Sequence, residues 1–264
     1  MPLPRAFLLD LEGTLYGDAG PEPGAAEVIR ALRRRRIPFR CVSNTTRRSR
    51  AGIVERVRAF GLDLAAEDIL TAVLAGAEIA RHLECRVVAP YIHPAALPDL
   101  GEFDLVGGTS GRTSGDAKPD AVLIGDLGAL WTYDLTLEAF RSLLAGSRLI
   151  ALSRDRYYQR RDGLALDAGA WVAGLEYAAG VESTVAGKPS PAFFLSAART
   201  LGVPPAETAM VGDDIWTDVE GARRAGYQGW LVRSGKFRDE LLAVSTVVPD
   251  RILGGIGDLL ADLR

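Results

Sequence analysis

Short apolar runs recur along this chain, and amphipathic stretches separate them. "RAFLLDL", "PFRCVSN", "DAVLIGD", "RLIALS", "TAMVGDD" and "QGWLVR" are runs of this kind; "PGAAEVIRALRRRRI", "RSRAGIVERVRAFG", "TLEAFRSLLAG" and "PAFFLSAARTLG" are among the separators. A strand that is apolar on successive residues has to be covered on both faces, and such strands belong to parallel sheets. Parallel neighbours need a crossover, which the amphipathic stretches supply as helices. Pro23 opens the first helix, whose basic residues fall toward its C-terminal end, and Gly61 closes the second. The pattern predicts an α/β protein built on a doubly wound parallel sheet.

Between residues 81 and 180 the character changes. "CRVVAPY", "DAVLIGD" and "RLIALS" read as strands of a separate body, and "GGTSGRTSGDAKPD" among them is loop-rich and polar. After "GAWVAGLEYAAG" the first rhythm resumes and runs to a last short strand around "STVVP" and a helix "IGDLLADL". The third helix, "TAVLAGAEIARHL", leads out of the first region. The simplest organisation is a core from residues 1–80 and 181–264, with a smaller α/β domain, 81–180, inserted between.

Composition narrows the function. A net charge of −3 exerts no global attraction on nucleic acid or anionic membrane, so neither is expected as a partner. Cys41 and Cys85 lie in or beside apolar segments and read as small buried thiols, not as a disulfide scaffold. With His82 and His93 the only histidines, a His-rich zinc site or a His-based triad is hard to build. A strand begins almost at once and no apolar stretch is long enough to span a bilayer, so a cytoplasmic protein is expected.

Ligands of open parallel sheets bind outside the carboxyl ends of the strands. Three predicted strands end there in polar groups: Asp10 and Glu12, Ser43 and Asn44, Asp213 and Asp214. Lys188 in "GKPSP" precedes a predicted helix start. Acids, a hydroxyl and a cation gathered on one edge make a site for a metal and an anion; carboxylates suit hard Mg²⁺, and lysine suits phosphate. Each piece alone has a plainer reading. Asp10 to Gly13 reads equally as a polar turn, Ser43 to Thr46 and Asp213-Asp214 as helix caps, Lys188 as a surface lysine. Their order and their placement at strand ends favour the site.

"DLEGT", "VSNTT", "GKPSP" and "GDDIWTD" resemble, in order, the four motifs of the haloacid dehalogenase-like (HAD) phosphohydrolase superfamily. The insert resembles the C2 cap of its class IIA members, and the likeness runs nearly the whole chain. The resemblance implies a Rossmann-like HAD core with a C2-type cap, and a Mg²⁺-dependent phosphatase acting on a small phosphorylated compound. Residue by residue it makes Asp10 the nucleophile that forms an aspartyl phosphate. Ser43 and the backbone of Asn44 would hold the phosphoryl oxygens, and Lys188 would balance charge. Asp10, the carbonyl of Glu12 and Asp213 would ligate Mg²⁺, with Asp214 and Asp218 orienting metal-bound waters. The sequence does not fix the oligomer; C2-capped members often pair through their caps, so a homodimer through the cap is what the resemblance allows.

The family's usual acid at position 12 is Asp, which protonates the leaving oxygen and then activates water. Glu12 keeps a carboxyl of similar reference pKa, about 4.3 against about 3.9, on one extra methylene. The rival reading is a binding or regulatory protein of the same fold whose chemistry weakened at Glu12; the presence of Asp10, Lys188 and Asp213 together argues against it. Dehalogenation is disfavoured because it needs no acid cluster of this kind. In the insert, "RDRYYQRRDG", with Arg154, Arg156, Arg160, Arg161, Tyr157 and Tyr158, reads either as a substrate-facing segment or as a solvated basic loop with packed tyrosines. Trp131, Tyr133 and Trp171 read as packing residues. Arg47, Arg48, Arg50 and the "RRRR" run at 33–36 read as solvated charge.

Overall fold

Six strands form the main sheet in the order Arg251–Leu253, Gln228–Val232, Thr208–Gly212, Ala6–Asp10, Phe39–Ser43, Ile69–Thr71. The four pairings from Arg251 to Ser43 are parallel. The computed structural model describes residues 3–112, 118–160 and 163–263. The strand order grows one way from Ala6–Asp10 through Phe39–Ser43 and Ile69–Thr71 and the other way through the last three strands, which is the doubly wound pattern. Every residue of Ala6–Asp10 is buried. Phe7 and Leu9 join a core with Val28, Ile29, Leu32, Ile53 and Val211. Leu8, equally buried, belongs to the opposite face by the two-residue period of a strand.

The chain divides into two compact units, Met1–Ser43 with Ile53–Leu70 and Lys188–Arg264, and Asn44–Gly52 with Thr71–Gly187. The sequence pattern places the boundaries at 80/81 and 180/181. The difference has a packing cause. The helix Ala72–His82 lies with the second unit, where a Cβ on Gly76 would stand 2.2 Å from the Leu152 side chain and 3.7 Å from Ala186. Its N-cap is Thr71, whose hydroxyl accepts from Leu74 N at 3.2 Å.

The second unit carries its own five-stranded sheet, ordered Thr184–Val185, Arg148–Ala151, Ala121–Ile124, Val87–Tyr91, Asp104–Leu105, with all four pairings parallel. The helices Tyr133–Leu144 and Ala168–Ala179 cover it. Tyr91, Trp131 and Trp171 stack in its core, with ring centroids 5.9 and 4.8 Å apart. Trp131 and Trp171 are thus packing residues as expected; Tyr133 is not, being 79% exposed at the start of its helix.

Several local expectations change. The last strand is Arg251–Leu253 rather than "STVVP", and a helix, Asp239–Val244, precedes that segment. Tyr157–Arg160 and Gly163–Leu166 pair antiparallel, and Arg154 of the insert's basic segment pairs with Glu176 at 2.7 Å. Tyr157 is exposed rather than packed. Arg161 and the Arg160 side chain lie outside the described residues. Arg47 is not merely solvated: its Nη1 donates to Asp126 Oδ2 at 2.8 Å, and Asp126 N donates to Thr46 Oγ1 at the same distance. Arg33 pairs with Asp68 at 2.5 Å, while Arg34, Arg35 and Arg36 are exposed. Cys41 and Cys85 are buried and free. Among the described residues no helix is long and apolar enough to cross a membrane.

Candidate active site

Strand register decides which polar groups meet. Asp10 lies opposite Val42 on one side, and Leu9 opposite Val211 on the other. Asp10, Ser43 and Asp213 therefore leave the sheet at one edge, on three adjacent strands. There the strand order reverses, which is where an open parallel sheet leaves its crevice.

Asp10, Asp213 and Asp218 converge at that edge. One carboxylate oxygen of each lies within 4.8 Å of the others', and all three residues are buried. Lys188 reaches the same spot with 3% of its side chain exposed; its Nζ donates to Asp10 Oδ1 and, at 2.6 Å, to Asp218 Oδ1. Gly212 makes room for Asp218, whose Oδ2 would stand 2.2 Å from a Cβ there. Burial pushes the Asp10 pKa well up; Lys188 opposes this, and the acids around it reinforce it. Burial, and next the charge of Asp218, push Asp213 up to about 7. For Lys188 burial favours loss of the proton, but Asp10 and Asp218 outweigh it, and the net shift is upward. Lys188 gives one positive charge to three buried carboxylates. The remaining negative charge, presented on oxygen atoms, suits a hard divalent cation.

Asp213 is walled in by the first turn and by a loop returning from the end of the chain. Its Oδ2 accepts from Lys236 N at 2.6 Å. A Cβ on Gly13 or on Gly235 would stand 2.2 or 2.0 Å from that same oxygen, and both glycines have positive φ, 93° and 56°. Ser234 Oγ donates to the Gly13 carbonyl at 2.6 Å and ties the loop to the turn.

Asp214 is placed differently. Its Oδ1 accepts from Trp216 N at 2.9 Å and Thr217 N at 3.1 Å, capping the helical segment Ile215–Glu220, and its Oδ2 faces Lys236 Nζ at 3.3 Å. Burial works against its charge, but Lys236 and the two amides prevail and lower its pKa. The cap reading of Asp214 is therefore realised, and the segment's contribution to the converging carboxylates is Asp218.

Glu12 is exposed, while its two flanking partners are buried. Its Oε1 accepts from Tyr16 OH at 2.8 Å and its Oε2 from Ser43 Oγ at 2.7 Å. Ser43 is thus brought to Glu12. Asn44, the next residue, falls with the second unit, its Nδ2 3.5 Å from Asp155 Oδ2. Sequence reasoning did not single out Tyr16, Lys236 or Gly235. The i, i+4 spacing of Glu12 and Tyr16 was the one available signal, and it is informative only once the turn is known to close.

Comparison with known proteins gives consistent matches. A family described as haloacid dehalogenase-like hydrolase matches residues 7–97, and one described as HAD-hydrolase-like matches residues 185–259. The chain is 39% identical over 236 residues to the human haloacid dehalogenase-like hydrolase domain-containing protein 2, covering 89% of this chain and 86% of that protein. It is 35% identical over 243 residues to the human phospholysine phosphohistidine inorganic pyrophosphate phosphatase, covering 89% and 84%. Among solved structures, the p-nitrophenyl phosphatase from Archaeoglobus fulgidus superimposes with a TM-score of 0.89 at 26% identity, covering 99% of this chain and all of that one.

Proposed function

Because the chain belongs to the haloacid dehalogenase-like hydrolases, we propose that it is a Mg²⁺-dependent phosphatase that cleaves a small phosphorylated compound through an aspartyl phosphate on Asp10. The observation that carries this reading is the convergence of Asp10, Asp213 and Asp218 at the end of the central strands, with the buried Lys188 donating to Asp10 and Asp218. Asp10, the carbonyl of Glu12 and Asp213 are the ligands we assign to Mg²⁺, with Asp218 beside them and Asp214 behind as the helix cap. When bound, the cation supplies charge neutralisation for carboxylates and phosphate together.

The protein's own groups divide the rest of the work. An Asp10 oxygen attacks phosphorus as the bond to the leaving oxygen breaks. Glu12 gives that oxygen a proton, and the resulting carboxylate then takes a proton from the water that attacks the aspartyl phosphate. Inorganic phosphate leaves and Asp10 returns as a carboxylate. Lys188 keeps the nucleophile and the incoming anion from repelling one another, and Ser43 donates to a phosphoryl oxygen. The completeness of this set weighs against a protein that has kept only the fold.

The second unit is read as a C2-type cap, in keeping with its all-parallel five-stranded sheet and with the insertion of its main part, Thr71–Gly187, between two segments of the first unit. A homodimer paired through that cap and a cytoplasmic location complete the proposal, and no nucleic acid or membrane is involved. The human relative named for phospholysine, phosphohistidine and inorganic pyrophosphate makes P–N and P–O–P bonds worth testing beside phosphate esters. The decisive experiment follows p-nitrophenyl phosphate and an alkyl phosphate with Mg²⁺, with EDTA, and with Asp10→Asn. Turnover should require Mg²⁺ and vanish in the variant, while acid quenching of the wild type traps phosphoenzyme. An Asp10→Asn protein within tenfold of wild type would remove Asp10 from the role of nucleophile.

A further inference from the structure

Glu12 is the exposed member of a small polar constellation whose other members are buried. Tyr16 is 2% exposed and Ser43 fully buried, and each donates its hydroxyl hydrogen to a different oxygen of the Glu12 carboxylate. An exposed glutamate would ordinarily sample many rotamers. This one is held from beneath at two points.

The two holds are not equivalent. A serine hydroxyl has one hydrogen to give. In this structure Glu12 receives it, yet a phosphoryl group seated at Ser43 would claim the same hydrogen. Occupation of the site by phosphate therefore removes one tether from Glu12 at the moment when its proton must be aimed at the leaving oxygen. The tyrosine tether is not in competition. Tyr16 lies one helical-turn spacing along from Glu12 in the tight turn closed by Gly13 N to Tyr16 O at 2.8 Å. Its ring is fixed by Phe60, centroids 5.7 Å apart, and by the Arg56 guanidinium 5.4 Å from its centroid, which also lies 5.3 Å from that of Phe60. A phenol keeps its hydrogen at neutral pH, so this tether is not lost to ionisation there.

We infer that Tyr16 is a positioning residue for the acid/base Glu12, holding its carboxylate in place when Ser43 turns its hydrogen to the phosphoryl group. The inference rests on the phosphatase reading above for its catalytic consequence, but the tether itself is independent of it. It also gives a reason for glutamate at position 12: the longer side chain is what reaches both hydroxyls.

Tyr16→Phe keeps the ring, the Phe60 contact and the Arg56 contact, and removes only the hydroxyl. With Mg²⁺ present, kcat for an alkyl phosphate should fall by about tenfold to 10², the order expected for a misplaced catalytic group, with KM within twofold. The fall should be smaller for p-nitrophenyl phosphate, whose leaving group needs little protonation. In a Glu12→Gln background the same change should cost almost nothing further, because the group it positions is gone. Wild-type kcat in Tyr16→Phe on the alkyl phosphate, or the same fold loss with and without Glu12, overturns the inference. Thermal unfolding of wild type, Tyr16→Phe, Glu12→Ala and the double variant decides the tether without any turnover. The combined drop in midpoint should be less than the two single drops together, and strict additivity removes the tether. A wild type inert on all phosphates would sink the phosphatase reading alone, and the unfolding cycle would still judge Tyr16.

Discussion

Replacing Gly235 with alanine separates two costs that the structure makes distinct. The first is conformational: φ at this position is 56°, and an L-residue held there gives up roughly 1–2 kcal/mol. The second is contact. The new Cβ would stand 2.0 Å from Asp213 Oδ2 and 2.6 Å from Gly13 Cα, far inside the 3.4 Å at which ordinary contact begins. Neither neighbour yields easily. Gly13 Cα is backbone, and the Asp213 oxygen is fixed by Lys236 N, which belongs to the residue following the substitution. Relief demands a retreat of Asp213 on the order of 1 Å, and a displacement of that size in a reacting constellation costs about 10² in rate. The assay is kcat for p-nitrophenyl phosphate across a Mg²⁺ titration, with calorimetric Mg²⁺ binding to the metal-free protein. Gly235→Ala should lose about 10² in kcat and require more Mg²⁺ for half-saturation. Gly202→Ala is the control. Its φ is 65° with nothing within 4 Å of the new methyl, so it carries the conformational cost without the contact. It should lower the melting temperature by the conformational share alone, less than Gly235→Ala does, and leave kcat and Mg²⁺ dependence unchanged. Wild-type kcat and wild-type Mg²⁺ dependence in Gly235→Ala would refute the claim that this wall sets the position of Asp213.

Glu12→Asp shortens the acid by about 1.5 Å, one carbon–carbon bond. It cannot then keep both the 2.8 Å bond from Tyr16 and the 2.7 Å bond from Ser43, so turnover of an alkyl phosphate should fall; a rate equal to or above wild type would show that the site is not built around the longer side chain. Asp213 carries a pH signature in the metal-free protein. Its folded pKa of about 7 lies above the unfolded value of 3.8, so the folded state holds the extra proton between the two. The group's stabilisation is complete below pH 3.8 and is lost as pH rises through about 7. In EDTA, the melting temperature of Asp213→Asn minus that of wild type should therefore rise across this window, and a flat difference would contradict the assignment.

The strand ends were legible because the information was local. A run such as "AFLLD" has to be buried on both faces and has to stop at its first carboxylate, so Asp10 and Asp213 could be placed on one edge before any contact was known. Lys188 could be set beside that edge because it precedes a helix start, whereas Asp218 came only from the family resemblance. What was not legible depends on chain returning from afar. Gly235 and Lys236 enclose Asp213 because Ser234 reaches the carbonyl of Gly13, 221 residues away, and no local pattern announces that closure. Asp214 and Asp218 are both acids of one short motif; which of them turns inward is decided by the helix start, where Trp216 and Thr217 amides claim Asp214. The strand Ile69–Thr71 is three residues at an edge, too short to show a period. "STVVP" is richer in β-formers than "RIL", yet pairing with Gln228–Val232 goes to Arg251–Leu253. Arg47 looked like solvated charge because its partner, Asp126, lies 79 positions further on.

The middle strand of the main sheet has consequences for synthesis on a ribosome. Ala6–Asp10 receives one neighbour early, from Phe39–Ser43, and the other only when Thr208–Gly212 has been made. Between these events all five strands of the second sheet, from Val87 to Val185, leave the exit tunnel. Through this interval one flank of the first strand offers unpaired amides and carbonyls beside Phe7, Leu8 and Leu9. This is the kind of edge that recruits other nascent chains. A polypeptide released before residue 208 would carry Asp10, Ser43 and Lys188 but neither Asp213 nor Asp218. The wait of the first strand for a partner encoded two hundred codons downstream therefore bears on misassembly, 202 positions separating Arg5 from its ion-pair partner Glu207.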